Sequence, residues 1–244
     1  MTIYFIGAGP GDPELVTVKG QRLIRMCPVI LYAGSLVPAA VLDGHQAHTV
    51  VDSAPLSLDE IIAVLQSAHA RGENVARVHS GDPSLYGAIG EQIRRLDRLG
   101  IDWEIIPGVT ATAASAAALG TELTLPGISQ TVILTRYARK TAMPEGETLD
   151  ALARHRATLA IHLGVRHLAE IVEILMPHYG AGCPIAIVYR ASWPDQQIVR
   201  GTLIDIVAQT PTEAMQRTAL IVVGKVLDSV DFTDSTLYSA DSRS

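Results

Sequence analysis

In the first half of the chain, short apolar runs alternate with stretches whose apolar residues recur every three or four positions. The short runs predict strands at 3–8, 28–33, 74–79 and 103–106. The periodic stretches predict helices at 17–26, 84–98 and 109–119. Ser57 and Glu60 form a capping-box pattern at the head of another helix. That helix carries Ile61, Ile62, Leu65 and Ala68 on one face and is expected to stop near Gly72. Strands alternating with helices imply a mostly parallel sheet.

The pattern changes at 120–130, where Gly120, Pro126 and Gly127 interrupt a stretch with little periodicity. Beyond it, strands are expected at 131–136, 158–163, 184–190, 197–200 and 220–223. Helices are expected near 148–154 and 166–177, with a helix-like stretch at 203–209. The short return between 190 and 197 reads as a hairpin, so this second sheet is expected to be mixed. The fold class is therefore α/β in two domains: 1–119, a linker at 120–130, and 131–228, followed by a loose tail at 229–244. No internal repeat is visible.

Composition narrows the class. The chain has 244 residues, 48% of them apolar and 18% charged, which suits a well-packed globular protein rather than a disordered one. A formal net charge of −6 gives nucleic acid no general attraction. No apolar run reaches the roughly 18 residues of a membrane span. The N-terminus enters a strand-like run directly, without a signal peptide, so the expected location is the cytoplasm. Cys27 and Cys183 each precede a proline that opens an apolar run, and read as buried thiols rather than a disulfide. His45 and His48 stand three apart without a third ligand nearby, so no metal site is expected.

Two glycine-aspartate turns carry the candidate chemistry. Gly7-Ala8-Gly9-Pro10-Gly11-Asp12 follows the first strand, and Gly81-Asp82-Pro83-Ser84-Leu85-Tyr86-Gly87 follows the strand at 74–79. In open α/β sheets, ligands bind outside the carboxyl ends of strands. The first turn fails the dinucleotide fingerprint, because Asp12 replaces its third glycine and Pro10 removes an amide. The acidic residue expected at the end of the second strand is also missing. Carboxylates in both turns disfavour phosphate and suit a cationic ligand with an amino acid portion and a flat base. S-adenosylmethionine fits that description.

Together with Pro107-Gly108-Val109-Thr110-Ala111, these turns resemble the ordered motifs of the tetrapyrrole methylases. The resemblance extends through His162-Leu163-Gly164 and Gly201-Thr202-Leu203 to Ala219-Leu220-Ile221-Val222-Val223-Gly224. It implies two α/β domains with S-adenosylmethionine folded between them, S-adenosylhomocysteine as by-product, a small-molecule tetrapyrrole acceptor and a homodimer. Tyr32 to Val37 and Ala191 to Gln196 resemble the branch that methylates corrin precursors. Relatives acting on uroporphyrinogen usually carry aspartate where this chain has Ala33.

By motif matching, the resemblance assigns the cofactor to Pro10, Gly81, Asp82, Leu85, Tyr86, Thr110, Ala111, Leu163, Tyr189, Arg190, Thr218 and Ala219. An electron-rich ring carbon supplies the nucleophile, so no strong protein nucleophile is needed, and none stands out. Asp82, Tyr86, Tyr32 and Ser35 are candidates to hold or accept a proton. For an acceptor rich in carboxylates, Arg136, Arg139 and Lys140 form the best basic cluster, with Lys19 in support. His162 ends an apolar strand and reads either as lining the cleft or as a satisfied core residue. A methylase with another acceptor, or a non-catalytic nucleotide or tetrapyrrole carrier, are the rival readings.

Overall fold

The computed structural model describes residues 1–138, 141–215 and 218–235. The chain divides into two compact units, Met1–Ala114 and Ser115–Ser244.

The first unit holds a five-stranded sheet in the order β3-β2-β4-β1-β5. Its strands are β1 (Thr2–Gly7), β2 (Val29–Tyr32), β3 (Thr49–Asp52), β4 (Val75–His79) and β5 (Asp102–Ile106). All four pairings are parallel. The sheet is covered on both faces, which is why β1 and β2 read as apolar runs. On one face Ile3, Phe5, Val29, Leu31 and Val75 pack against α2 (Leu58–Ala70) and α3 (Ile89–Arg98). On the other, Ile6, Ile30, Ala76 and Val78 pack against α1 (Val18–Met26) and the turn holding Val41 and Leu42.

The capping box at α2 forms as read: Glu60 N donates to Ser57 Oγ, and Ser57 N donates to Glu60 Oε2 at 2.7 Å. The helix expected at 84–98 is shorter than its pattern, because α3 starts at Ile89. Tyr86 and Ala88 adopt left-handed backbone, φ 57° and 51°, which an α-helix does not accommodate. The edge strand β3 has no counterpart in the sequence reading. Its four residues alternate between half-buried and exposed, with none of the apolar continuity of its neighbours.

Helix α4 (Ala111–Leu119) runs through the division between the units. The second unit holds a sheet in the order β6-β7-β10-β8-β9. Its strands are β6 (Val132–Arg136), β7 (Thr158–His162), β8 (Pro184–Tyr189), β9 (Gln197–Thr202) and β10 (Ala219–Val223). Only β6 and β7 are parallel; the other pairings are antiparallel, and β8–β9 is the expected hairpin. Leu159, Ile161, Ile185, Ile187, Ile221 and Val223 share a core with α5 (Leu149–Ala153), α6 (Leu168–Tyr179) and α7 (Ile206–Gln209). The helix-like stretch at 203–209 is helical only from Ile206, since Thr202 to Asp205 form a turn in which Asp205 Oδ1 accepts from Thr202 N. Cys27 and Cys183 are both buried free thiols, and burial pushes each up to about 11.

Candidate active site

Three loops leave the carboxyl ends of the adjacent strands β4, β1 and β5 and meet in the first unit. Ala8 N donates to the His79 carbonyl at 2.7 Å, and Gly81 N donates to the Gly9 carbonyl at 2.7 Å. A side chain at Gly108 would place its Cβ 2.2 Å from the Gly81 carbonyl oxygen and 2.8 Å from Gly7 Cα. The glycines are thus required where three backbones touch. Across from Gly81, the Ala111 amide and the Val109 carbonyl lie 4.0 and 3.9 Å from where its Cβ would stand. Thr110 caps α4, its Oγ1 accepting from Ala113 N at 3.2 Å. Gly81, Thr110 and Ala111 are therefore brought together.

Asp82 has a structural task that its sequence context does not announce. Its Oδ1 accepts from Ser84 N at 2.7 Å, and its Oδ2 accepts from Gly108 N at 2.8 Å. The carboxylate ties the β4 turn to the β5 loop. Past it, Leu85 is half-buried and Tyr86 is 45% exposed on left-handed backbone. Pro10 is half-buried in the first glycine turn.

Tyr32 ends β2 beside Asp52 at the end of β3. Asp52 Oδ1 accepts from both Gly34 N and Ala54 N at 2.9 Å, which holds its carboxyl below the usual range. Ser35, on the same loop, is exposed. Lys19 forms an ion pair with Glu104, so its charge is locally balanced.

On β4, Arg77 and His79 are buried polar residues, both 5% exposed, that the sequence reading did not single out. The available signal is their spacing: two basic residues two apart put both on one face of a strand otherwise made of valine and alanine. Burial, with the Arg77 charge in support, pushes the His79 imidazole down to about 3, so it is neutral. Its Nε2 is buried without a partner among the described residues.

A second constellation lies at one end of the sheet of the second unit. There β7 ends at His162, β8 ends at Tyr189 and β10 begins at Ala219. Arg136 stands in register with His162, Tyr189 in register with Ala219, and Arg190 N donates to the Thr218 carbonyl at 2.9 Å. Leu163 is 71% exposed, an apolar side chain left uncovered by its own unit. Burial pushes the His162 imidazole down to about 4. The Arg190 guanidinium lies 5.3 Å from the Tyr189 ring centre and 4.8 Å from that of Trp193, and pairs with Asp195. Arg136 Nη2 donates to the carbonyls of Thr141 and Ala142 at 3.0 and 3.3 Å. Arg139 and Lys140 lie outside the described residues.

Seven described non-glycine residues have positive φ, and Tyr86, Leu163, Arg190 and Thr218 are four of them. Left-handed backbone at non-glycine residues concentrates at ligand sites, where surrounding structure holds it. These four also belong to the donor set implied by the motifs. Within the first unit, the Gly81 turn and the Val109–Ala111 backbone offer amides and carbonyls to a polar ligand. Among the described residues no group of His, Cys, Asp and Glu could hold a metal, and no helix is long and apolar enough to cross a membrane.

The chain belongs to the tetrapyrrole (corrin/porphyrin) methylases, whose family profile matches residues 2–207. It is 70% identical to the precorrin-4 C(11)-methyltransferase of Pseudomonas aeruginosa over 243 residues, covering 100% of this chain and 97% of that protein. The cobalt-precorrin-4 C(11)-methyltransferase of Methanocaldococcus jannaschii is 49% identical, over 97% of this chain and 92% of its own. Among solved structures, a cobalt precorrin-4 methyltransferase superposes with a TM-score of 0.90 at 41% identity, covering 93% of this chain and 96% of that one. The uroporphyrin-III C-methyltransferase of Thermus thermophilus, complexed with S-adenosylhomocysteine, gives 0.76 at 31% identity, over 93% and 99% of the two chains.

Proposed function

We propose that this chain transfers a methyl group from S-adenosylmethionine to C11 of precorrin-4, giving precorrin-5 in cobalamin biosynthesis. The observation that carries this reading is the 70% identity, over the whole chain, to a relative of that activity. The convergence of the Gly7, Gly81 and Gly108 loops supports it from the structure. The metal-free acceptor is favoured over the cobalt-bearing one by the same comparison, 70% against 49%.

S-adenosylmethionine supplies an electrophilic methyl group on sulfonium. The chain's own residues do the positioning. The loop backbones at Gly81 and Thr110–Ala111 receive the amino acid portion, and Pro10, Leu85 and Tyr86 complete that side. Leu163, Tyr189, Arg190, Thr218 and Ala219 serve the adenosine. The acceptor carbon is itself the nucleophile, so alignment is the main contribution, and a well-oriented pair of reactants can gain about 7–11 kcal/mol. Asp82 is occupied by two backbone amides, which leaves Tyr32, Tyr86 and Ser35 as the hydroxyl groups for moving a proton. Arg136, Arg139, Lys140 and His162 serve the acceptor. The working form is a homodimer in the cytoplasm.

Purified protein given precorrin-4 and carbon-13 methyl donor tests this. The product gains one labelled methyl group, placed at C11 by NMR. Label at another ring carbon, or no transfer to any tetrapyrrole, overturns the reading.

A further inference from the structure

Arg77 lies on a strand buried along its whole length, and its described partners are all neutral. Its Nη1 donates to the Leu31 carbonyl at 3.3 Å and to Ser53 Oγ at 3.1 Å, and its Nε donates to Gln92 Oε1 at 3.3 Å. From there the contacts spread in two directions. Ser53 donates to the Tyr32 carbonyl through both N and Oγ, at 2.8 and 3.0 Å, while its neighbour Asp52 holds the Gly34 amide. Gln92, 3% exposed, donates from Nε2 to the Ala88 carbonyl at 3.0 Å. Ala88 is the left-handed residue that closes the Gly81–Tyr86 turn.

A guanidinium buried among neutral acceptors is costly, and an apolar residue would pack there with no such penalty. What a connected polar network adds is a fixed geometry. The planar fork of arginine can hold two partners at a set angle, which a lysine cannot. Here those partners reach two different loops, one at the end of β2 and one after β4.

We propose that Arg77 is a positioning residue for methyl transfer, setting the Tyr32–Val37 loop through Ser53 and the Gly81–Ala88 turn through Gln92. This rests on the reading above, in which the turn receives the donor and Tyr32 and Ser35 of the loop move a proton. The two arms then fail separately.

The test uses the full chain, with S-adenosylhomocysteine affinity by calorimetry and steady-state methyl transfer to precorrin-4. Gln92→Met raises the S-adenosylhomocysteine Kd about tenfold and leaves the acceptor KM within about twofold. Ser53→Ala lowers kcat/KM for the acceptor about tenfold and leaves that Kd unchanged. Arg77→Met does both, and Arg77→Lys does not rescue either, since charge without the fork is insufficient. Equal changes in both measures for each single-arm variant, no change in either, or rescue by lysine overturns the proposal. Hydrogen exchange on the unmodified protein covers variants that do not fold. S-adenosylhomocysteine slows exchange at the Ser84 and Gly108 amides and leaves the Gly34 and Ala54 amides unchanged, and slowing at all four or at none overturns the proposal. An unmodified protein that transfers no methyl group overturns the functional reading itself, whereas normal transfer with equal changes in the two single-arm variants overturns this inference alone.

Discussion

Replacing Asp82 by asparagine separates two roles for its carboxylate. One role is to face a cationic ligand. The other is to clamp Ser84 N and Gly108 N at 2.7 and 2.8 Å. Asparagine keeps one acceptor oxygen and turns the other into an amide group that cannot accept. One of the two N–H groups loses its partner, and the surviving bond loses its charge. A hydrogen bond to a charged group contributes roughly 1.5–3 kcal/mol, and the half-exposed position puts the loss near about 1–2 kcal/mol. For a chain of this length that corresponds to a melting temperature lower by about 2–8 °C. The released Gly108 loop then sits wrongly against Gly81, and donor affinity falls with it. The assay pairs a thermal melt with calorimetric titration of S-adenosylhomocysteine, and Asp82→Ala deepens both effects. An Asp82→Asn protein that melts normally yet binds about tenfold more weakly would refute the clamp and assign the carboxylate to the ligand directly.

Two further predictions concern buried titratable groups. Cys27 and Cys183 resist alkylation by iodoacetamide at neutral pH in the folded protein and react fully after unfolding, because burial holds both thiols near 11; mass spectrometry reads the difference, and rapid native labelling of either contradicts it. His79 is neutral when folded, its imidazole lowered from 6.5 to about 3. Between those values the unfolded chain binds a proton that the folded chain does not, so stability falls as pH falls, by at most about 1.4 kcal/mol per pH unit. Urea midpoints near pH 7 and pH 5 show this loss, and His79→Gln flattens it; an equal slope in the variant contradicts the assignment.

The parts of this fold that the sequence displays are those whose cause is local. Inner strands such as β2 are covered on both faces and read as continuous apolar runs. The Ser57–Glu60 box announces its helix because both partners lie within one turn. The misses have non-local causes. Strand β3 exists because Thr49 to Asp52 pair with Val29 to Tyr32, and its own residues carry little signal. The Asp82 clamp joins residues 26 apart in sequence, and the Ser53–Arg77 contact spans 24. Motif matching flags Asp82 as a site residue, but only the fold shows which atoms its oxygens meet. The left-handed backbone at Tyr86 and Ala88 likewise depends on the turn being held from outside, so helical periodicity overran it.

The same distinction governs the basic residues proposed for the acceptor. Charge in the sequence is not charge available to a ligand. Lys19 is paired with Glu104, and Arg190 with Asp195, so each presents a nearly neutral pair to an anion. Arg136 differs, because its described partners are the carbonyls of Thr141 and Ala142, which orient the guanidinium without cancelling its charge. Arg136→Ala is therefore expected to raise the KM for a carboxylate-bearing acceptor by about tenfold, whereas Lys19→Ala leaves it within about twofold. Raising salt should weaken acceptor binding in the unmodified protein and have less effect in Arg136→Ala. Steady-state kinetics at two ionic strengths decide it. Equal losses in the two variants would mean that net charge alone sets acceptor binding, and that the local pairing of each side chain is irrelevant to it.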